Sequence, residues 1–104
     1  MIDVSTLIEK CTKNWQNLSL CEVNDSVVRL AVIEGEFHWH KHIEEDEFFY
    51  VLEGLLLIDL EDKTINLKPN QGFTVPRGIT HRTRAPSRTS VLLMEKRSIK
   101  PTGD

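Results

Sequence analysis

The chain has 104 residues and a mass of 12.0 kDa, enough for one small hydrophobic core and too little for two domains of ordinary size. Its 13 basic and 16 acidic residues give a formal net charge of −3, so no overall positive charge is available to hold a nucleic-acid backbone. Apolar runs such as Leu55 to Ile58 are far shorter than the ~20 residues of a membrane span, and the amino terminus lacks a signal-peptide pattern. We therefore expect a cytoplasmic protein that binds neither nucleic acid nor membrane.

The two cysteines, Cys11 and Cys21, do not form a recognisable site. Two cysteines are too few for a disulfide framework, and neither has the neighbouring Cys or His residues that a zinc site requires. We expect both to be free, buried thiols without a nucleophilic role.

The amino-terminal segment has the spacing of a short amphipathic helix. Behind Asp3 or Ser5 as the capping residue, its apolar residues recur at i, i+3, i+4 and i+7: Val4, Leu7, Ile8 and Cys11. We predict a helical arm over residues 1–17, packed on the outside of the domain.

From residue 18 onward the sequence consists of short runs rich in β-branched residues. Val and Ile together number 16 and Ala only 2, a balance that favours strands over helices. Val28, Leu30 and Val32 alternate, as in a half-buried strand. Turn signals recur about every 8 to 12 residues, which predicts an all-β sandwich or barrel. We place the barrel at residues 18–98 and expect 99–104 to be a tail that is ordered only if something docks it.

Acidic and basic residues are concentrated in different stretches of the chain. Residues 34–62 contain ten acidic residues and one basic residue, whereas residues 77–100 contain seven basic residues and one acidic residue. One interpretation is that the two stretches lie on neighbouring strands or in a subunit contact and form ion pairs. The other is that four arginines rim a pocket for an anionic ligand: Arg77, Arg82, Arg84 and Arg88. Charge runs usually form solvated faces, which favours the first interpretation.

The four histidines provide the strongest chemical signal. His38, His40 and His42 alternate, and His81 follows in a later segment. On a strand, alternate side chains project from one face at a spacing of roughly 6.6 Å, so two neighbours can hold one ion. The acidic run Glu44 to Glu47 follows, and the strand predicted after it could return a carboxylate to the same ion. Such donors suit divalent Fe, Mn, Ni, Co or Zn and leave coordination positions open for water or substrate.

These residues resemble the two motifs of the cupins, and in particular the small stand-alone cupins of the mannose-6-phosphate isomerase-like or RmlC-like type. The first motif, G-x5-H-x-H-x3 or 4-E-x6-G, corresponds here to G-x4-H-x-H-x4-E-x6-G over residues 35–54. The second motif, G-x5-P-x-G-x2-H-x3-N, keeps its P-x-G-x2-H core over residues 76–81, whereas Asn70 replaces its first Gly and Ala85 its final Asn. The departures concern turns and a strand end, not the ligands.

The resemblance implies a double-stranded β-helix, or jelly-roll barrel, that holds one divalent ion per chain on four residues: His40, His42, Glu47 and His81. The alternative is a barrel whose site is empty or adventitiously filled. We favour the metal site because a buried carboxylate among imidazoles is costly without a cation or a shared proton. His38 lies outside the motif spacing. We interpret it as a histidine that supports the ligands or the core, the alternative being an acid or base that contacts substrate.

Alternation along the strands also predicts the walls of the cavity. If Glu47 points into the barrel, Phe49 and Val51 do so too, and Thr83 accompanies His81. We therefore expect a cavity that is mainly apolar beyond the metal and suits a small, partly hydrophobic ligand.

Trp39 points away from the ligands by the same alternation. An outward Trp beside Phe37 is typical of a subunit interface, and we expect a homodimer, as the resemblance also suggests.

Two functions remain open from the sequence. The first is metal-dependent chemistry of oxygenase, isomerase or lyase type on a small organic ligand, with Glu47 and His38 as candidate catalytic residues. The second is a non-enzymatic barrel that senses or stores a ligand or a metal. The sequence indicates no further acid or base that faces the cavity, although an enzyme usually needs one.

Overall fold

The computed structural model describes residues 1–99 and Gly103. Within these residues the chain forms one helix and seven strands: α1 (Val4–Lys10), β1 (Trp15–Val23), β2 (Ser26–Glu36), β3 (Glu47–Glu53), β4 (Leu56–Leu60), β5 (Thr64–Leu67), β6 (Gly72–Val75) and β7 (His81–Lys96). The predicted all-β class with a short amino-terminal helix is confirmed, and the antiparallel strands have a jelly-roll architecture.

Helix α1 begins where the sequence predicts and is capped at both ends by side chains. The Asp3 Oδ1 atom accepts a hydrogen bond from the backbone N–H of Thr6 at 3.3 Å. At the other end, Arg88 Nη2 donates to the carbonyl oxygens of Ile8 at 3.2 Å and Cys11 at 2.7 Å. A guanidinium there satisfies carbonyls that a helix end leaves free and complements the helix dipole. Arg88 therefore docks the helix and does not rim a pocket.

The apolar side of α1 covers the outer face of β2, where Leu30 and Val32 are fully buried. Cys11 is buried in the same cluster, whereas Cys21 is exposed, so the expectation of two buried thiols is wrong for Cys21. A register shift in β1 places Cys21 opposite Val28, where it remains exposed.

Strand β7 organises the barrel. It runs for 16 residues and pairs antiparallel with β2, β3 and β4. Residues 81–84 pair with β4, and residues 90–95 pair with β3. Pro86 lies between these two halves, beside a register shift in β2. One strand thus takes part in both halves of the jelly roll.

The interior of the barrel is a single apolar cluster to which most strands contribute. Its fully buried members include Val51 of β3, Leu56 and Ile58 of β4, Val75 of β6 and Val91 of β7. These side chains fill the barrel below the polar end, where the histidines lie, and hold the strands that carry the site in fixed register.

The acidic and basic stretches meet on adjacent strands. Asp59 of β4 accepts hydrogen bonds from Arg84 Nε at 2.7 Å and Arg82 Nε at 2.8 Å, and from the Thr64 hydroxyl at 2.7 Å. The Arg84 guanidinium holds the pKa of Asp59 far below its usual range. Arg82 also lies 3.5 Å from Glu36. The ion-pair interpretation of the charge pattern is therefore confirmed for these arginines.

The boundaries differ from the expected ones. Strand β1 begins at Trp15, whereas the barrel was expected to start at residue 18. Ile99, placed in the expected tail, is 4% exposed, and its N–H donates to the Lys96 carbonyl at 3.0 Å. Residues 100–102 and 104 of that tail lie outside the described residues. No helix in the described part of the chain is long and apolar enough to cross a membrane.

Gly54, in the turn between β3 and β4, provides a test of this packing. Its φ is +90°, and a Cβ there would lie 2.8 Å from the Arg88 carbonyl oxygen and 2.9 Å from the Thr89 Cα. We predict that Gly54→Ala lowers the free energy of unfolding by more than about 2 kcal/mol, because a clash with backbone adds to the left-handed strain of about 1–2 kcal/mol.

Gly35→Ala is the matched control for this variant. Its φ is +104°, but in the described structure nothing lies within 4 Å of an added Cβ, so only the strain remains. Urea unfolding of both variants measures the difference. Equal losses of stability would contradict the clash at Gly54.

Candidate metal centre

Three histidines and one glutamate meet at one end of the barrel. One donor atom from each residue lies within 4.8 Å of every other: His40, His42, Glu47 and His81. His42, Glu47 and His81 are buried, and His40 is half-buried. The structure therefore brings together all four residues that the motifs indicate.

His40 and His81 are held by the backbone. The N–H of each donates to the carbonyl oxygen of the other, at 2.9 and 2.8 Å. The two rings are also oriented by backbone carbonyls, because His40 Nδ1 lies 2.9 Å from the His38 oxygen and His81 Nδ1 lies 2.9 Å from the Ile79 oxygen. With the hydrogen on Nδ1, each Nε2 lone pair is left for a metal.

The segment that carries His40 and His42 is not a regular strand. Strand β2 ends at Glu36, and in the described backbone of residues 37–46 the bridge at His40 is the one strand-like pairing. The prediction that three imidazoles project from one face of a strand is therefore wrong. His38 is exposed, so it is not a core residue, and its ring lies tilted against that of Phe37 with centroids 4.2 Å apart. It supports His40 through its backbone carbonyl.

The Pro76–Gly78 turn fixes the loop that carries His42. The Gly78 N–H donates to the His42 carbonyl at 2.7 Å, and the Arg77 N–H donates to Asp46 Oδ1 at 2.8 Å. Gly78 has a φ of +77°, which glycine adopts at little cost. The turn thus positions the site, as the sequence predicts, and Arg77 contacts Asp46 instead of lining a pocket.

The buried polar atoms of the cluster are not satisfied by protein groups. Among residues 1–99 and 103, both ring nitrogens of His42, the Nε2 of His81 and the Oε1 of Glu47 have no hydrogen-bond partner. Glu47 Oε1 lies 3.5 Å from His81 Nε2 and 3.7 Å from His42 Nε2, too far for good hydrogen bonds. Unpaired buried polar atoms are costly, and a cation among them would satisfy one atom of each residue. The donor set therefore fits a divalent ion.

The protonation states suit the same ion. Burial lowers the pKa of His40, and the nearby His81 and His42 lower it further, whereas the hydrogen bond to the His38 carbonyl raises it. On balance the pKa is lowered, so the neutral, metal-binding form of His40 dominates near pH 7. Burial alone raises the pKa of Glu47, but contacts with His81 and Glu95 and the charges of the histidines lower it on balance. The cluster thus presents a neutral His40 imidazole beside an ionised Glu47 carboxylate.

A second buried carboxyl group faces Glu47. The register of β3 and β7 pairs Glu47 with Glu95, which is 5% exposed. Burial, and then the hydrogen bond and charge of Glu47, raise the pKa of Glu95 to about 9 against the lowering charge of Arg29. Arg29 Nε lies 3.0 Å from Glu95 Oε1, although not in hydrogen-bond alignment. Glu95 therefore keeps its proton and Glu47 is the ionised member of the pair.

A small cavity adjoins the cluster. Its volume open to the centre of a water molecule is about 60 Å³. Phe49 and Thr83 point into it, as predicted. Phe37 was expected beside Trp39 at an interface, but it also lines the cavity. There its ring stacks on Trp15 with centroids 5.4 Å apart. The walls are formed by Trp15, Asn17, Arg29, Phe37, His40, Glu47, Phe49, Thr83, Leu93 and Glu95.

The charged wall of this cavity was missed by the sequence analysis. A mainly apolar lining was expected, but Arg29, Asn17 and Glu95 contribute to it. The alternation of side chains along β2 could have indicated Arg29. It lies on the inward face of this strand, between the buried apolar residues Val27 and Ala31. Glu95 also adds a proton-carrying group that the sequence did not place in the cavity.

Comparisons with known proteins agree with this geometry. A family profile described as "Cupin domain" matches residues 26–95. The uncharacterized protein YdbB of Bacillus subtilis (strain 168) is 52% identical over 96 residues, which cover 91% of this chain and 85% of that protein. The crystal structure of a cupin-2 domain containing protein from Shewanella frigidimarina NCIMB 400 superimposes with a TM-score of 0.88 and 31% identity over 92% of this chain and 94% of that chain. KdgF from Halomonas sp. shares the fold, with a TM-score of 0.70 and 22% identity over 83% of each chain.

The acid pair predicts a pH dependence of stability. Because the pKa of Glu95 is raised from 4.5 to about 9, the folded state keeps a proton that the unfolded state releases, so stability falls as the pH rises through this window. We predict that metal-free wild type loses at least about 1.4 kcal/mol relative to Glu95→Gln between pH 5 and pH 8.5, one pKa unit being worth that amount.

Urea unfolding in EDTA, followed by tryptophan fluorescence, measures this difference. Groups that the two proteins share contribute to both pH profiles, so the comparison isolates the effect of Glu95. Parallel pH profiles of the two proteins would show that Glu95 is ionised in the folded state.

Proposed function

Since the chain belongs to the cupin family, as the match over residues 26–95 shows, we propose that its three clustered histidines and Glu47 hold one divalent metal ion at which a small organic ligand binds. The observation that carries this proposal is the set of buried donor atoms on His42, Glu47 and His81 that lack protein partners. Three nitrogens and one carboxylate suit Fe, Mn, Ni, Co or Zn and leave coordination positions for a ligand.

The first candidate activity is metal-dependent chemistry on the bound ligand, of oxygenase, isomerase or lyase type. A bound ion would supply Lewis acidity or hold oxygen beside the substrate. The chain's own residues would do the rest: the aromatic walls exclude water, and Glu95 holds a proton beside Glu47 at the edge of the cavity. The proton that Glu95 holds beside Glu47 supports Glu47 and Glu95, and not the exposed His38, as the residues that would transfer protons.

The second candidate is a sensing or storage barrel without turnover. It is favoured by the small size of the cavity, whose roughly 60 Å³ leave room for few atoms besides the ion. The two candidates share the metal and the ligand, and differ in whether product forms from a ligand that binds.

The proposed setting is a reducing compartment such as the cytoplasm. Cys11 and Cys21 are both unpaired thiols, and Cys21 is exposed. No experiment on the site depends on this placement.

We further propose a homodimer, with Trp39 in the contact. Its side chain is 45% exposed and lies 5.2 Å from the Arg82 guanidinium, which holds it on the surface. Static light scattering is expected to give about twice the chain mass of 12.0 kDa, and Trp39→Ala to shift the protein towards monomer. A monomeric wild type would refute the dimer, and a dimer unchanged in Trp39→Ala would place the contact elsewhere.

Metal content tests the central proposal. Untagged wild-type protein is expected to contain about one equivalent of a transition metal by elemental mass spectrometry. The His40→Ala/His42→Ala double variant is expected to lose more than nine-tenths of it, because two of four donors are gone. Added metal should raise the melting temperature of wild type and leave that of the double variant unchanged.

His38→Ala is the matched control for the double variant. It removes a neighbouring imidazole but keeps the backbone carbonyl that orients His40, so its metal content should equal that of wild type. Glu47→Gln serves as a second ligand variant if the double variant does not fold. Wild type that neither contains metal nor takes it up on reconstitution would refute the proposed site.

A further inference from the structure

Arg29 places a positive charge on the wall of the metal-site cavity. Its neighbours on the inward face of β2, Val27 and Ala31, are buried and apolar. The side chain is 21% exposed and lines the same cavity as His40 and Glu47. A charged group that is only partly exposed at such a position needs a counter-charge, and the cavity is where a ligand could provide one.

The guanidinium is not fully used by the protein. Its one ion pair among the described residues is the 3.0 Å contact of Nε with Glu95 Oε1, and this contact lacks hydrogen-bond alignment. A guanidinium carries five N–H donors in a planar fork that matches the two oxygens of a carboxylate. Arg29 therefore has donors left for an anion that enters the cavity.

We propose that Arg29 selects the ligand by binding the carboxylate of a short organic acid, whose second oxygen donor reaches the metal ion; this inference rests on the proposed function. Glu95 contacts Arg29 and lies directly opposite the ligand residue Glu47, so Arg29 is separated from the metal cluster by one side chain. That separation suits a ligand with a carboxylate at one end and a hydroxyl or carbonyl oxygen at the other.

The charge of the lining favours an anion. Arg29 contributes one positive charge and Glu47 one negative charge, and a divalent ion would add two positive charges. The total is +1 if Glu95 is ionised and +2 if it is protonated, so it is positive in either state. A short carboxylate would reduce this charge, whereas a neutral analogue of the same shape would not.

The size and walls of the cavity limit the acid to a short one. A volume of about 60 Å³ open to water centres corresponds to roughly four to six water molecules. The stacked Trp15 and Phe37 and the ring of Phe49 provide rigid apolar walls for a short carbon chain. Acids of two or three carbons fit this space, and sugar phosphates do not.

Calorimetric titration of the metal-loaded protein tests the proposal. The probes are acetate, oxalate, pyruvate and lactate, with hydroxyacetone as the neutral analogue of pyruvate. Wild type is expected to bind at least one of the acids bearing a second oxygen at least tenfold more tightly than hydroxyacetone. Arg29→Gln is expected to lose at least tenfold of that affinity, and Arg29→Lys to lose less because the charge is kept.

Arg97→Gln is the matched control, since Arg97 is 59% exposed, pairs with Glu22 on the surface and lies outside the cavity wall. Its affinity for the acids should equal that of wild type. The Arg29→Gln/Glu95→Gln double variant serves if the single variant does not fold, because it replaces both members of the Arg29–Glu95 contact. Metal content is measured on every sample.

The outcomes separate the two proposals. Metal-loaded wild type that binds none of the acids, or binds hydroxyacetone equally well, overturns the role of Arg29 and leaves the metal site intact. Unchanged affinity in Arg29→Gln with full metal content does the same. Protein that takes up no metal refutes the proposed function; acid binding that is then lost in Arg29→Gln would still support the role of Arg29.

Discussion

The charge distribution at the polar end of this barrel depends on two buried carboxyl groups that face each other. Glu47 and Glu95 lie directly opposite on adjacent strands, at 6% and 5% exposure. Two such groups cannot both be ionised at this spacing without positive charge nearby. The structure places the guanidinium of Arg29 next to Glu95, and next to Glu47 it places the histidine cluster that we propose to hold a cation. The row from Arg29 to the histidines therefore behaves as one electrostatic unit.

The fold meets this constraint by wrapping one strand around the barrel. His81 and Glu95 lie near opposite ends of β7, yet both contact Glu47. A straight strand would separate them by about 46 Å at roughly 3.3 Å per residue, whereas the longest dimension of the molecule is 35 Å. The strand must therefore curve, and Pro86 lies in the stretch between its two pairing halves. Gly54 allows the close approach of the neighbouring turn to Thr89 in the same stretch.

The sequence predicts the metal cluster better than the cavity because the two depend on different information. The four candidate ligands are close in sequence to one another or to the Pro76–Gly78 turn, since His40 and His42 precede β3 and since Glu47 and His81 begin β3 and β7. A local pattern is therefore enough to identify them. Arg29 and Glu95 become neighbours only through the register of β2 and β7, and Glu47 joins them through the register of β3 and β7; no local pattern contains these registers. Local patterns can also give a wrong prediction. The alternating histidines have the spacing of a strand, but the backbone after Glu36 is irregular. The capped helix and the inward Phe49 were predictable, because capping and alternation are local properties.

Ligand binding and proton binding are linked in the proposed site, because they act on the same unit. A carboxylate on Arg29 would compete with Glu95 for the guanidinium, and a cation at the histidines would neutralise the negative charge of Glu47. The first change favours the protonated form of Glu95, and the second lessens the repulsion that Glu47 exerts on Glu95. The anion thus favours protonation of Glu95, whereas the metal ion favours its deprotonation. In the metal-dependent chemistry proposed for this site, Glu95 would be the acid whose proton transfer both ligand and metal control, a property that storage does not require.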